Sequence, residues 1–237
     1  MNKLYLVFLI LALFNSCQQG ERTAESQPAV VSVYTSNYPL YFITDYIAPE
    51  GVSVHFPAQE ASDPAFWQPP ADTVVAMQQA DLIITNGANY EKWLTTVSLP
   101  PSKVINSSAG FRQDLIDSEE VTTHSHGDEG AHQHVGTAFT TWMDLELAAT
   151  QATAISDALA TLMPEEREFI EVRRKELYSQ LLELDQEYER VGENSTVSVA
   201  YSHPVYQYFQ RAYQLNGPSL HWEPDQAITE EQLDELK

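Results

Sequence analysis

Cysteine is almost absent. Of 237 residues only Cys17 carries a thiol, so no internal disulfide can brace the chain and an ordinary apolar core must hold it. Basic residues are scarce as well: 12 Lys and Arg stand against 34 Asp and Glu, a formal net charge of −22. A surface this acidic repels phosphate backbones and excludes nucleic acid as a partner. It attracts cations only weakly and without selectivity, and solubility accounts for it equally well. Catalytic signatures are missing: there is no Gly-x-Ser-x-Gly, no phosphate-cradling glycine loop and no His-Glu-x-x-His. The chain reads as a binding protein rather than an enzyme.

What is present begins at the N-terminus. Met1 to Lys3 is short and positive, and Leu4 to Phe14 is an almost unbroken apolar run. A bilayer span needs roughly 20 apolar residues, so this run fits the core of a signal peptide instead. It ends at Phe14-Asn15-Ser16-Cys17, where a small residue precedes the cysteine, as at a bacterial lipidation site. An ordinary signal peptide with a stray cysteine is the alternative. Residues 1–17 are therefore read as a lipoprotein signal, and 18–28, polar with Gly, Ser and Pro, as a flexible tether. The protein is expected to be exported, held at the cell envelope by a lipid on Cys17, and monomeric.

The remainder alternates strand and helix patterns, which argues for an α/β fold. Strands are expected at Val30 to Tyr34, Val52 to Phe56, Asp81 to Gly87 and Lys103 to Asn106, with helices at Tyr38 to Ile47 and Ala71 to Ala80. These make an N-terminal α/β lobe over 29–141. Residues 142–194 are helical in spacing. Pro164-Glu165-Glu166 has the composition of a helix start, and Leu177, Leu181, Leu184, Tyr188 and Val191 then recur at steps of four and three. A helix of about 28 residues would be roughly 40 Å long, a strut between two lobes or one strand of a coiled coil. Thr196 to Tyr201 restarts a strand pattern, followed by a helix from Pro204 to Tyr213, so 195–237 opens a second α/β lobe that looks incomplete at Lys237.

Several short segments then stand in a recognisable order. They are Asn37-Tyr38-Pro39-Leu40, Asp63-Pro64-x-x-Trp67-x-Pro69, Ala80-Asp81-Leu82-Ile83, Asn86-Gly87, Glu91-x-Trp93-Leu94, a His-rich loop, Trp142-Met143-Asp144, the long helix and Ser202-His203-Pro204. Together with the lipidation signal, this series resembles the zinc- and manganese-binding solute-binding proteins of bacterial ABC importers, over nearly the whole chain after the tether. The resemblance implies two α/β lobes bridged by one long helix, a metal held in the cleft between them, and delivery to an importer permease in the membrane. It also implies three histidines and an acidic residue as ligands. Position by position, the first histidine is replaced by Ala65 and the second by Thr140. Only His203 remains, and the acidic ligand would fall beyond Lys237. Asp63, Glu60 and His55 lie near the first lost ligand in sequence, and Glu223 and His221 lie in the second lobe.

Four of the seven histidines, His124, His126, His132 and His134, fall within residues 122–135, with Asp128 and Glu129 between them. Two His-x-His pairs around a glycine-containing turn can converge on one ion; a solvated polar loop is the plainer reading. Zinc is the expected metal, with manganese or another divalent transition metal as alternatives. Tyr38, Trp67, Trp142, Tyr206 and Trp222 are expected near the cleft, as packing or as walls for an organic ligand or a chelated metal. The expected function is metal capture for an ABC importer. The alternatives are a solute-binding protein of the same fold with an organic or chelate ligand, and a zinc-buffering interaction protein.

One consequence is testable at once: Cys17→Ser should move the exported protein from the membrane pellet to the soluble fraction, and retention in the pellet would remove the lipid anchor from the account.

Overall fold

The computed structural model describes residues 30–61, 63–125, 131–196, 198–220, 222 and 227–234, with the backbone alone over 118–125 and 131–135 and at 231. Its centre is a parallel sheet. Strands β1 (Val31–Thr35), β2 (Val52–His55), β3 (Leu82–Thr85) and β4 (Val104–Asn106) lie in the order β2-β1-β3-β4. All three pairings are parallel, with Val33 opposite Val54 and Leu82, and Ile84 opposite Ile105. Every residue of β3 is buried, as expected of an apolar strand covered on both faces.

Helix α1 (Tyr38–Ile47) starts at Asn37, whose side chain accepts from the Leu40 amide at 2.9 Å, and it ends where Pro49 forces Ala48 into an extended conformation. Its buried face, Leu40, Ile43 and Ile47, packs with Val33, Leu82 and Ile84 from the sheet. Helix α2 (Ala71–Gln79) covers the opposite face, where Met77, Ala80, Ile83 and Trp93 form a second cluster.

Two long helices complete the first core. Helix α3 (Leu145–Leu162) is capped by Asp144, which accepts from the Leu147 amide, and it contributes Ala152, Ile155 and Leu159. A 3-10 turn at Pro164–Glu166 leads into α4 (Arg167–Asn194), 28 residues long and so about 42 Å from end to end. The Arg173 guanidinium lies 4.1 Å from the centre of the Tyr46 ring and donates to the Tyr46 carbonyl, which fixes α4 on α1.

The apolar stripe expected on α4 is corrected by the structure. Ile170 and Leu177 are buried, but Leu184 and Val191 are exposed at 41% and 56%. The buried line passes through Asp185 instead, whose carboxylate accepts from the Tyr213 hydroxyl at 2.8 Å. A polar residue is tolerated there because its partner is buried with it. Burial first, and then Asp185, push the Tyr213 phenol well above its ordinary range, so it stays a donor.

Three further differences concern the segments flanking the long helices. Within the stretch expected to be a loop over 122–135, residues 122–125 and 131–135 lie in strands β5 (Asp117–Ser125) and β6 (Ala131–Thr137), which pair with each other in a two-stranded antiparallel sheet. Val121, Thr122, Thr123 and Val135 are β-formers whose pull outweighs the polar histidines between them. The strand expected at Thr196 to Tyr201 reduces to one parallel bridge, Tyr201 with Ser219, in which the Tyr201 amide donates to the Pro218 carbonyl and the Leu220 amide to the Tyr201 carbonyl. Prolines at 204 and 218 supply no ladder donors, which keeps the pairing short. The helix expected from Pro204 starts later, as α5 (Gln207–Tyr213), and a short helix α6 (Glu230–Asp234) follows. After α4 the chain thus runs from Tyr201 through α5 to Ser219, its partner in the single bridge.

Tyr213→Phe strips Asp185 of its phenol donor. Urea unfolding should show a loss of roughly 1–3 kcal/mol, and Asp185→Leu in the same background should restore part of it. Equal stability of Tyr213→Phe and the parent would mean that the pair adds nothing.

Candidate functional site

The sheet changes direction at β1: the chain passes from β1 to β2 on one side and returns to β3 on the other. In open parallel sheets ligands settle beyond the strand C-termini at such a switch point. Here that crevice is bounded by Ser36 and Asn37 after β1 and by Asn86 and Gly87 after β3. The chain fills it from within. Glu91, 7% exposed, accepts from the Ser36 hydroxyl and the Asn86 amide at 2.5 Å each, and from the Gly87 amide at 3.1 Å. Burial pushes the Glu91 carboxyl above its ordinary range, and the three donors pull it partly back.

A strained turn makes this possible. Gly87, Ala88 and Asn89 all have left-handed backbones, with φ of 76°, 48° and 62°. At Gly87 a Cβ would lie 2.1 Å from Asn106 Oδ1, so glycine is required for space as well as for conformation. The turn is held by a buried polar network. The Asn86 side-chain amide donates to the Gly87 and Phe139 carbonyls, and its Oδ1 accepts from Gln151 Nε2 at 3.1 Å. Gln151 also donates to the Ser107 hydroxyl, and Ser108 donates to the Asn86 carbonyl.

The outcome is the placement of Tyr90. Its ring is 4% exposed and meets Phe139 edge-on at 5.2 Å and Trp142 at 6.0 Å. Burial, then the negative charge of Glu91 and of Asp63, push its hydroxyl far above the ordinary phenol range, so it is a permanent donor. Asp63 therefore sits within electrostatic reach of Tyr90, and its Oδ1 also accepts from the Ala65 amide at 2.9 Å. Phe139 and Trp142 flank Thr140, whose hydroxyl donates to the Val205 carbonyl at 2.5 Å. That bond brings the Ser202-His203-Pro204 turn against the first lobe. His203 is half-buried, with Nδ1 3.4 Å from the Ser202 hydroxyl, and Tyr201 and Tyr206 stack on each other at 4.9 Å.

The candidates from sequence thus separate. Tyr90 packs against Phe139 and Trp142, Thr140 bonds the Val205 carbonyl two residues after His203, and Asp63 acts on Tyr90 through its charge. Trp67 packs at right angles on Trp93 in the second core cluster, Glu60 is exposed in a turn, and Tyr38 is 60% exposed on α1. His55 stacks on Tyr34 at 4.8 Å along the β2 edge of the sheet. Cys17, His126, His221 and Glu223 lie outside the described residues, as do the side chains of His124, His132 and His134; the hairpin backbone sets His124 opposite His132 and Thr122 opposite His134. Among the described residues no three His, Cys, Asp or Glu side chains gather as a metal-holding group. Sequence reasoning gave no role to Tyr90 or Gln151. It noted Glu91 only within a motif, although an acid four residues after Asn-Gly, next to two aromatics, was a usable signal.

Glu91→Gln tests the inner network. It keeps the shape but sets an amide N–H against a donor, and should cost roughly 1–3 kcal/mol. Because the folded carboxyl titrates above its unfolded value, its contribution is full below the ordinary glutamate range and is lost as pH rises through the folded value. The advantage of the parent over Glu91→Gln in urea unfolding should shrink as pH rises from the ordinary glutamate range through the folded value; an advantage that grows with pH over this range would contradict the assignment.

A protein-family model, ZnuA, zinc-uptake complex component A, periplasmic, matches residues 33–237. The chain is 25% identical over 226 residues to the zinc-binding lipoprotein AdcA of Streptococcus pneumoniae (strain ATCC BAA-255 / R6), covering 93% of this chain but 44% of AdcA. It is 27% identical to the manganese ABC transporter substrate-binding lipoprotein PsaA of Streptococcus pneumoniae, covering 98% and 75% of the two chains. It is 25% identical to the high-affinity zinc uptake system protein ZnuA of Bacillus subtilis (strain 168), covering 97% and 72%. The chain thus spans less than half of AdcA and about three quarters of the other two. Among solved structures, the metal-dependent lipoprotein YcdH from Bacillus subtilis superposes with a TM-score of 0.71 at 22% identity, over 87% of this chain and 73% of that one. The two-lobe α/β fold is shared, and the chain belongs to the ZnuA family of zinc-uptake components.

Proposed function

We propose that this chain captures a divalent transition metal outside the cytoplasm, zinc first and manganese second, and passes it to the permease of an ABC importer. The family match over residues 33–237 carries this reading. The relatives named for zinc and manganese uptake support both the cargo and the importer partner. The surroundings of Tyr90 support the place: the charge of Asp63 acts on Tyr90, and Thr140 ties down the segment after His203 where the strand C-termini of the first lobe meet the start of the second. The role is that of a carrier, and nothing in the site calls for bond making or breaking.

The signal at 1–17 supports a lipid anchor at Cys17 and a place on the outer side of the cytoplasmic membrane, with the chain as a monomer. Among the described residues no helix is long and apolar enough to cross a membrane. The domain reading follows: tether 18–28, first lobe 29–141, helical region 142–194 and the start of a second lobe at 195–237. The hairpin histidines form a second, local zinc site in this proposal, supported by the backbone register that sets His124 opposite His132.

The direct test is the metal that the protein acquires. After equilibration in growth medium, metal content should be measured for the mature chain, for a version lacking residues 122–135 and for His203→Ala in that version. One zinc per chain should survive removal of the hairpin and should fall at least about tenfold in occupancy with His203→Ala. Loss of all metal on hairpin removal would leave the hairpin as the only metal site and end the cleft reading.

A further inference from the structure

We infer that the groove between α3 and α4 is a second binding site, for a small organic ammonium ion with an apolar body. The inference goes beyond metal capture and does not depend on it.

The two helices border a cavity of about 420 Å³, within the range of small-molecule sites, roughly 300–1,000 Å³. It shares no lining residue with the surroundings of Tyr90. Ala149 on α3 and Leu181 and Leu182 on α4 give it apolar walls, and Tyr178 stands with them, 48% exposed.

Two carboxylates belong to the same lining: Glu146, which is exposed, and Asp185, which is only 6% exposed. A buried carboxylate is ordinarily paired with a cation or a metal. Asp185 has no cationic partner among the described residues. Its one bond is to the Tyr213 hydroxyl, which donates to Oδ1 at 2.8 Å. That phenol is held in its uncharged form by burial and by Asp185 itself, so it fills one lone pair and leaves the charge uncompensated. The basic residues that flank this stretch of α4, Arg174 and Arg190, pair with Glu171 and Glu187 instead.

The remaining polar groups narrow the ligand further. The Thr150 and Thr153 hydroxyls donate to the Glu146 and Ala149 carbonyls, so toward the cavity they can only accept. Among the described residues no Lys, Arg, His, Asn, Gln or Trp side chain lines the cavity, so an anion would find no N–H donor there from a side chain. An ammonium group supplies both the donors and the positive charge that Asp185 lacks. The face of Tyr178 attracts the same group through its ring quadrupole. A metal ion would need a shell of roughly four to eight donor atoms, and the apolar walls do not supply one. Those walls suit an organic body.

Three probes of similar size separate charge from bulk: 2-phenylethylammonium, neutral 2-phenylethanol and anionic 3-phenylpropanoate. Each should be titrated by calorimetry into the full mature chain at neutral pH, with EDTA present so that no metal contributes. The ammonium should bind at least about tenfold more tightly than either of the others. Asp185→Asn should remove that preference and leave binding of 2-phenylethanol unchanged. Leu182→Lys keeps the Asp185–Tyr213 bond and places a cation one turn away on the same face of α4, and it should abolish ammonium binding. Equal affinity for the three probes would overturn the proposal. Ammonium binding that survives both substitutions would be an unspecific counter-ion effect of the acidic surface and would overturn the site. So would the absence of binding by every probe.

Discussion

Everything around the cleft depends on one buried carboxyl group. Glu91 is taken out of water at the point where the parallel sheet reverses its order, and its two oxygens collect the Ser36 hydroxyl and the Asn86 and Gly87 amides. Those are the groups that an open sheet would otherwise offer to a ligand. By occupying them the chain closes the inner crevice and ties the ends of β1 and β3 together. Of three left-handed residues in a row, Ala88 and Asn89 are not glycine and cost of order 1–2 kcal/mol each. That cost is tolerated because the network from Asn86 to Gln151 and Ser107 holds the turn from behind.

With the inner crevice closed, the proposed site lies farther out, around Tyr90 and its neighbours. The side chain that follows a strained turn has little freedom, and Tyr90 is further wedged between Phe139 and Trp142. The start of the second unit is fastened to the same surface. Tyr208 donates to the Ala138 carbonyl and accepts from the Ile116 amide, Arg211 donates to the Asp114 carbonyl and pairs with Asp144, and Thr140 donates to Val205. The His203 turn is therefore positioned by several contacts to the first lobe.

Much of the fold was legible because it is written in local periodicity. The β-branched run at 31–35, the buried run at 82–85, the Asn37 cap with Pro39 behind it and the 28-residue helix each announce themselves within a short window. The failures share one cause. Leu184 and Val191 continue a helical stripe in sequence, yet the helix buries Asp185 because Tyr213, 28 residues away, supplies its hydrogen bond. The strand expected at 196–201 needed a neighbour, and among the described residues it pairs through one bridge, Tyr201 with Ser219.

The sequence by itself determined the acidic character, the α/β class and the long helix, since each depends on composition or short-range spacing. Only the tertiary structure decided which side chains meet. Thr140 holds the segment after His203, Trp67 is drawn into the core against Trp93, and Glu91 fills the switch point. The physical reason is that these contacts join residues tens of positions apart through burial and directed hydrogen bonds. Their partners become defined only once sheet order and strand register have brought the loops to one end of the sheet.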